Sequence, residues 1–289
     1  MSTICYRIRH TEINGKKRPL TIYSAEAMKE QKIMYEYHKE LFMENTHSSV
    51  YSFIPGFSNF DAAALAFHEA QHFQYYIKLD IHEYYPSIDR QLLLENLSEM
   101  LPSNEALHIC QYVFCCPKGI AEGSPLSPAV SNMYLRFFDA EMSSIPDSRF
   151  IRYCDDILFL TDVYPEMMIF FITNALASYS LRINEEKLLK GSTSDGFNYI
   201  GYNINPVGLS ITYEKLAEIL YRLRVEKNEA KRIRIANGFK AYYRFSVCLP
   251  QCDQSLEFLT HYGSDDEIRL FLNYGKEMGD YNEKDCLYL

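Results

Sequence analysis

Asp80 closes an aromatic and β-branched run, Tyr75-Tyr76-Ile77-Lys78-Leu79-Asp80-Ile81, and Asp155–Asp156 stand in the middle of a second apolar run, Phe150 to Leu160. A carboxylate in such surroundings loses hydration and repels its neighbours, which is unfavourable unless something positive binds there. If the two runs are adjacent strands, Asp80 and Asp155 can be bridged by two divalent ions about 3.5–4 Å apart, the arrangement that serves in-line phosphoryl displacement. Magnesium suits such a site because one or two carboxylates suffice, with substrate phosphates completing its shell. An Asp-Asp pair also favours a plain hairpin turn, so the pair taken alone leaves both readings open.

The elements that must position these acids follow from pattern and punctuation. Ser24–Met43 is helix-like, and Ile54-Pro55-Gly56 is a turn signal. Asp61–Gln74 reads as an Ala-rich helix with Asp61 as its cap. Tyr75–Ile81 favours a strand, and Pro86 to Met100 turns helical. Ser127-Pro128 predicts a helix start, with Ser at the N-cap and Pro first in the helix, running toward Met142. Phe150–Leu160 has the pattern of a tight hairpin, Phe197–Ile204 of a later strand, and Tyr213–Arg244 of helix. No internal repeat or low-complexity linker interrupts the chain, so one multi-lobed α+β unit is expected, an antiparallel sheet backed by helices.

Taken together, the segments resemble the reverse transcriptase family, in family order from about residue 16 to 204. Lys78-Leu79-Asp80-Ile81-His82-Glu83-Tyr84-Tyr85-Pro86-Ser87-Ile88 resembles its first catalytic motif. Gly119-Ile120-Ala121-Glu122-Gly123-Ser124-Pro125-Leu126-Ser127-Pro128, continued by Asn132-x-Tyr134-Leu135, resembles the second. Tyr153-Cys154-Asp155-Asp156 looks like the Tyr-x-Asp-Asp box, Leu181–Lys187 like the lysine motif, and Phe197–Tyr202 like the primer-grip hairpin. Lys17-Arg18-Pro19-Leu20 and Tyr51–Ser58 resemble fingers segments of group II intron and related bacterial enzymes. An ordered set of this kind is far more specific than any single short pattern.

The resemblance implies a right-hand polymerase, with fingers over 1–74, palm over 75–211 (residues 88–118 partly fingers), and a short helical thumb with an acidic tail over 212–289. It implies RNA-directed addition of deoxynucleotides to a 3′-hydroxyl with two magnesium ions. Asp80, Asp155 and Asp156 would be catalytic metal ligands, and Ile81 would offer its backbone. Tyr85 would be a steric gate against a 2′-hydroxyl, with packing beside Tyr84 as the alternative. Lys17 and Arg18 would reach the triphosphate, Lys187 would protonate the departing pyrophosphate, and Gly123 and Ser124 would let backbone approach the template–nucleotide pair. Solvated surface is the alternative for all three basic residues.

Glu122 departs from the pattern, which usually has glutamine there. A carboxylate lacks the donor and repels a triphosphate, so Glu122 would alter nucleotide selection or pair with a local base such as Arg152. Template-independent or protein-primed synthesis therefore remains a rival, as does a non-catalytic RNA-binding module. By elimination the chain resembles compact bacterial defence enzymes, with a dedicated noncoding RNA as the expected template beside dNTPs and nascent DNA.

Composition bounds these readings. A net charge of −9 argues against a generic nucleic-acid binder. Yet five bases face one acid from Arg7 to Arg18, and nine face four from Glu214 to Arg244, while three face nine from Gln251 to Leu289. Local phosphate binding with weak overall steering follows, and a partner subunit or homo-oligomer that masks acidic surface is expected. Eight cysteines without a CxxC pair, Cys248 and Cys252 lacking further ligands, argue against zinc. With no signal-like start and no apolar run of about 20 residues, a cytoplasmic protein without a membrane partner is expected.

Overall fold

The computed structural model describes residues 4–13 and 16–236. In chain order its elements begin with β1 (Tyr6–Ile13), β2 (Lys16–Tyr23), α1 (Ala25–Glu44), α2 (Asn59–Ala70), β3 (Tyr75–Asp80) and α3 (Tyr84–Ser87). There follow α4 (Arg90–Ser98), α5 (Ser103–Val113), α6 (Ser127–Tyr134), α7 (Arg136–Ser143), β4 (Ser148–Tyr153), β5 (Asp156–Thr161) and α8 (Pro165–Ala177). The last are β6 (Leu189–Ser192), β7 (Phe197–Tyr199), β8 (Tyr202–Asn205), β9 (Gly208–Ile211) and α9 (Tyr213–Val225). Two compact units result: residues up to Ser58 with Ile77–Lys190, and Asn59–Tyr76 with the chain from Gly191 onward.

The first unit carries the acids. β1 and β2 form an antiparallel ribbon with Tyr6 opposite Tyr23. The central sheet runs in the order β4-β5-β3-β6. As an inner strand β5 is buried from Ile157 through Thr161 rather than alternating. Ile77, Leu79, Phe150, Ile157 and Phe159 of this sheet join Leu93, Leu97, Val130, Met133, Phe138 and Ile172 in one core. α6 is buried on nearly every side, which explains its small and polar residues Ser127, Ala129, Ser131 and Asn132: they allow close helix packing and turn hydroxyls inward. α1 starts where the Ser24 hydroxyl accepts the Ala27 N–H at 3.2 Å, and it buries Ala27, Gln31, His38 and Phe42 along one stripe.

In the second unit β7, β8 and β9 make a meander, with α2 packed against β8 and β9. Phe60 meets Tyr202 edge-on at 6.0 Å, and Tyr76 stacks on Phe197 at 4.5 Å.

Several boundaries differ from expectation. α2 begins at Asn59, so Asp61 lies in its first turn, where its charge suits the helix dipole, instead of capping it. The segment from Pro86 to Met100 is two helices, because Asp89 starts α4 afresh by accepting the Gln91 and Leu92 N–H groups at 2.8 and 3.0 Å. Ser127 is the first helical residue of α6, not its cap, and the helix pauses at Leu135 (φ −99°, ψ 6°) before α7. The expected strand Phe197–Ile204 is a hairpin, since Ile200 and Gly201 both take positive φ, 42° and 91°, the signature of a type I′ turn. α9 ends at Val225, and residues 229–236 are helical again after Asn228 accepts the Lys231 N–H at 3.1 Å. The remainder of Tyr213–Arg244, Cys248, Cys252 and the acidic tail lie outside the described residues. Among those described, no helix is long and apolar enough to cross a membrane.

Candidate active site

β3 and β5 are neighbours in the sheet, which brings Asp80 to the β4–β5 turn: the Ile81 N–H donates to the Asp155 carbonyl at 3.0 Å. Tyr153 pairs with Asp156, leaving Cys154 and Asp155 as a two-residue loop. Cys154 takes φ +60° while Asp155 does not, the pattern of a type II′ turn, in which glycine is the ordinary first residue. Asp156, counted from sequence with the apex, therefore begins β5.

The electrostatics match the disposition. Burial raises the Asp155 carboxyl above its ordinary range and Asp80 raises it further. Asp156 is pushed up to about 6, by burial first and then by Asp155 and Asp80, against the opposing pull of Lys78 and Lys187. Three acids that disfavour one another's charge suit a hard divalent cation, and oxygen donors are the ones magnesium prefers. Ile81 adds a neutral oxygen: it sits opposite Ile183 as a non-hydrogen-bonded antiparallel pair, flanked by the His82 N–H to Arg182 carbonyl and Asn184 N–H to Asp80 carbonyl bonds, and among the described residues no backbone N–H reaches its carbonyl. Among those residues no group of three or more His, Cys, Asp or Glu side chains is arranged to hold a metal ion by itself. Magnesium needs none, since water and phosphate fill the rest of its octahedron.

Lys187 donates to Asp80 Oδ2 at 2.6 Å from a half-exposed side chain. Burial lowers its pKa, but the Asp80 bond and the charges of Asp80, Asp156 and Asp155 outweigh this and hold it above the usual lysine value. Tyr84 is the packing aromatic, buried with its hydroxyl donating to the Ser131 carbonyl at 2.6 Å. Tyr85 is only partly covered, and burial together with the charges of Cys154, Asp155 and Glu122 pushes its phenol well up. Its backbone is fixed because Ile120 N–H donates to its carbonyl at 3.0 Å, and a Cβ on Gly119 would sit 2.0 Å from that oxygen.

Glu122 meets Arg18, not Arg152. Its carboxylate lies 3.9 Å from Arg18 Nη1, while the Thr21 N–H donates to its carbonyl at 2.7 Å. Burial raises the Glu122 pKa, Arg18 lowers it and Asp155 raises it. The expected partner Arg152 is wholly buried and committed to Asp139. Gly123 (φ +103°) permits this docking, since a Cβ there would approach the Thr21 carbonyl to 2.4 Å. Ser124 donates to Gln31 Oε1 at 2.5 Å and accepts the Leu126 N–H at 3.1 Å, so its hydroxyl is structural. Lys17 lies in β2, with its side chain outside the described residues.

Residue typing alone gave no role to Asn184, whose Nδ2 donates to Asp80 Oδ1 at 3.2 Å. Nor did it single out Ser52, Asn132 and Asp139, which surround the Cys154 turn. Their signal was a polar residue inside an otherwise apolar segment, most plainly Asp139 among Phe137, Phe138 and Ala140.

An antiparallel sheet with acids at the ends of adjacent strands, backed by helices, is the palm architecture of nucleotide polymerases. Residues 8–204 match the family described as reverse transcriptase (RNA-dependent DNA polymerase), and the chain belongs to that family. No curated protein matches it. Among solved structures, telomerase from Candida albicans in complex with a TWJ fragment of telomeric RNA aligns with a TM-score of 0.56 at 12% identity, over 98% of this chain and 63% of that one. Telomerase from Candida tropicalis, in complex with such a fragment, gives 0.57 at 14% identity, over 94% and 55%. The chain thus spans about six tenths of the relatives it matches, and at such identity the likeness is one of fold.

Proposed function

We propose that this protein is an RNA-directed DNA polymerase that adds deoxynucleotides to a 3′-hydroxyl, with Asp80, Asp155, Asp156 and the Ile81 carbonyl holding two magnesium ions. The observation that carries the reading is the hydrogen bond from Ile81 to Asp155, which joins acids 75 residues apart along the chain. Fingers would comprise 1–74, palm 75–211 and thumb 212–289.

Bound magnesium would make the 3′-hydroxyl a nucleophile and neutralise charge on the phosphates. Asp155 would supply its oxygens from the turn and Asp156 from the first residue of β5, both partly buried. Lys187, poised on Asp80, has the proton to give to departing pyrophosphate. Arg18 offers a planar guanidinium to the triphosphate, for which it must leave Glu122; that exchange makes nucleotide entry sensitive to Glu122. Tyr85, on a backbone clamped by Gly119 and Ile120, presents its ring to the sugar and excludes a 2′-hydroxyl by overlap.

The bacterial anti-phage role and the dedicated noncoding RNA rest on the sequence resemblance, and a cytoplasmic site rests on the cysteine pattern. Glu122 favours one second reading, synthesis with relaxed template use, because its carboxylate cannot donate to a base or sugar.

The test is primer extension on an RNA template with magnesium and the four dNTPs, with Asp155→Ala alongside and the products sequenced. Template-complementary DNA made by the wild type only is expected. Homopolymer or short repeats would move the reading to untemplated synthesis, and no product under any primer, template or metal would end it.

A further inference from the structure

Resting on that polymerase reading, we propose that Arg152, with Asp139, Asn132 and Ser52, is a positioning device that fixes the Cys154–Asp155 turn and thereby the direction of the metal-binding carboxylates. Arg152 and Asp139 are both 0% exposed. Arg152 Nε and Nη2 donate to the two Asp139 oxygens at 2.6 Å each, which fixes the guanidinium plane. With that plane set, Nη1 donates to the Cys154 carbonyl at 3.1 Å and to Asn132 Oδ1 at 3.2 Å. From the other side, the Ser52 hydroxyl accepts the Cys154 N–H at 2.8 Å, and Asn132 Nδ2 donates to the Ser52 carbonyl at 3.0 Å. Both peptide groups of the left-handed residue are held, by partners that also hold each other.

The backbone repeats the pattern. Arg152 N–H donates to the Ser49 carbonyl at 2.9 Å, and Tyr51 N–H to the Arg152 carbonyl at 3.0 Å. A buried ion pair is a poor way to gain stability, because apolar residues of the same volume commonly do as well without the desolvation cost. What apolar residues cannot do is grip a carbonyl. Lysine cannot do it in this geometry either, since three coplanar donors serve Asp139, Asn132 and Cys154 together. Cys154 occupies a conformation that favours glycine, so the turn is kept by its surroundings and not by its own residue. Arg152 acts on the turn through the Cys154 carbonyl.

The experiment uses the full chain with Ser52→Ala, which removes one grip and leaves the ion pair, and Arg152→Lys. Ile172→Val, a core change in α8, is the control for lost packing. Three quantities are read: kcat and KM for dNTP in primer extension, Mn2+ affinity of the protein alone by electron paramagnetic resonance, and the urea midpoint. Ser52→Ala is expected to lower kcat about tenfold with KM within about twofold, and to weaken Mn2+ binding about fivefold. Arg152→Lys should repeat that split more severely, while Ile172→Val moves the urea midpoint alone. Wild-type kcat and Mn2+ affinity in Ser52→Ala would overturn the inference while leaving the polymerase reading intact. Should the wild type extend no primer, that reading fails by itself and the Mn2+ titration decides: unchanged or absent binding overturns the positioning role, and selective weakening upholds it.

Discussion

Two hairpins of this protein close with two-residue turns and obey different rules. At Ile200–Gly201, in the second unit, both residues take positive φ and Gly201 supplies the one position where a side chain would be most strained. Around it, the Asn59 amide donates to the Ile200 carbonyl at 3.4 Å, the Thr212 N–H donates to the Gly201 carbonyl at 3.0 Å, and a Cβ on Gly201 would meet Lys215 methylenes at 3.7 Å. At Cys154–Asp155, in the first unit, the strained position holds cysteine, and Ser52 and Arg152 bind its peptide groups. The first turn has glycine at one of its two left-handed positions and Ile200 at the other, whereas the second has no glycine and is imposed by the tertiary structure. The imposed turn is the one that carries the acids.

That contrast is broken most severely at the chemistry. Asp155→Asn should reduce primer extension by about 10³-fold, while removing a charge that Asp80 and burial already penalise. The urea midpoint should hold or rise. A large loss of stability in this variant would mean that Asp155 is structural, and the two turns would then differ less than argued. Next in size is the buried Arg152–Asp139 pair: Arg152→Met strands the Asp139 carboxylate in the core and should cost about 3–5 kcal/mol in urea unfolding. The double change Arg152→Met with Asp139→Leu should recover much of that stability yet leave synthesis impaired, separating folding from positioning.

The turns themselves supply the third comparison. Gly201→Ala should destabilise by about 1 kcal/mol through backbone strain, the added methyl having room. Cys154→Gly relieves strain but adds freedom to the unfolded chain, so its net effect should stay within about 1 kcal/mol. Equal losses at both positions, measured by urea unfolding, would show that the catalytic turn depends on its own residue after all.

The same distinction explains how much was legible in the sequence. The strand Tyr75–Asp80 and the hairpin around Asp155–Asp156 were readable because apolar patterning and local turn chemistry decide them. The adjacency of β3 and β5 was only conditional from pattern, since pairing is non-local, and the order of family motifs made it an expectation. Pro86–Met100 read as one helix because helix propensity does not show that Asp89 will cap a second. By pattern alone Phe197–Ile204 read as one strand, because Ile200 hides a turn that Gly201 only hints at; the resemblance of Phe197–Tyr202 to a primer-grip hairpin carried the turn that the pattern did not. Arg152 was assigned to Glu122 as a nearby base; its true partner, Asp139, follows from burial, which single residues do not report. Asn184 and Ser52 act by geometry that exists only after folding.

The smallest effect concerns the frame on which the imposed turn depends. His38 of α1 is largely buried, with its Nε2 3.5 Å from Glu105 Oε2 and its ring between Tyr37 and Phe42 at 4.7 and 6.0 Å. Burial lowers its pKa more than Glu105 raises it, so the folded protein favours the neutral ring. A histidine with a depressed folded pKa contributes its full stability above the ordinary histidine value of about 6.5 and loses it as pH falls through that value toward the folded one. Hydrogen exchange of β4 and β5 amides should therefore quicken, beyond the intrinsic pH trend, between pH 7 and pH 5. His38→Leu should flatten that extra dependence. The same slope in both proteins would place the pH sensitivity elsewhere, and a slope of opposite sign would mean that Glu105 holds the ring charged.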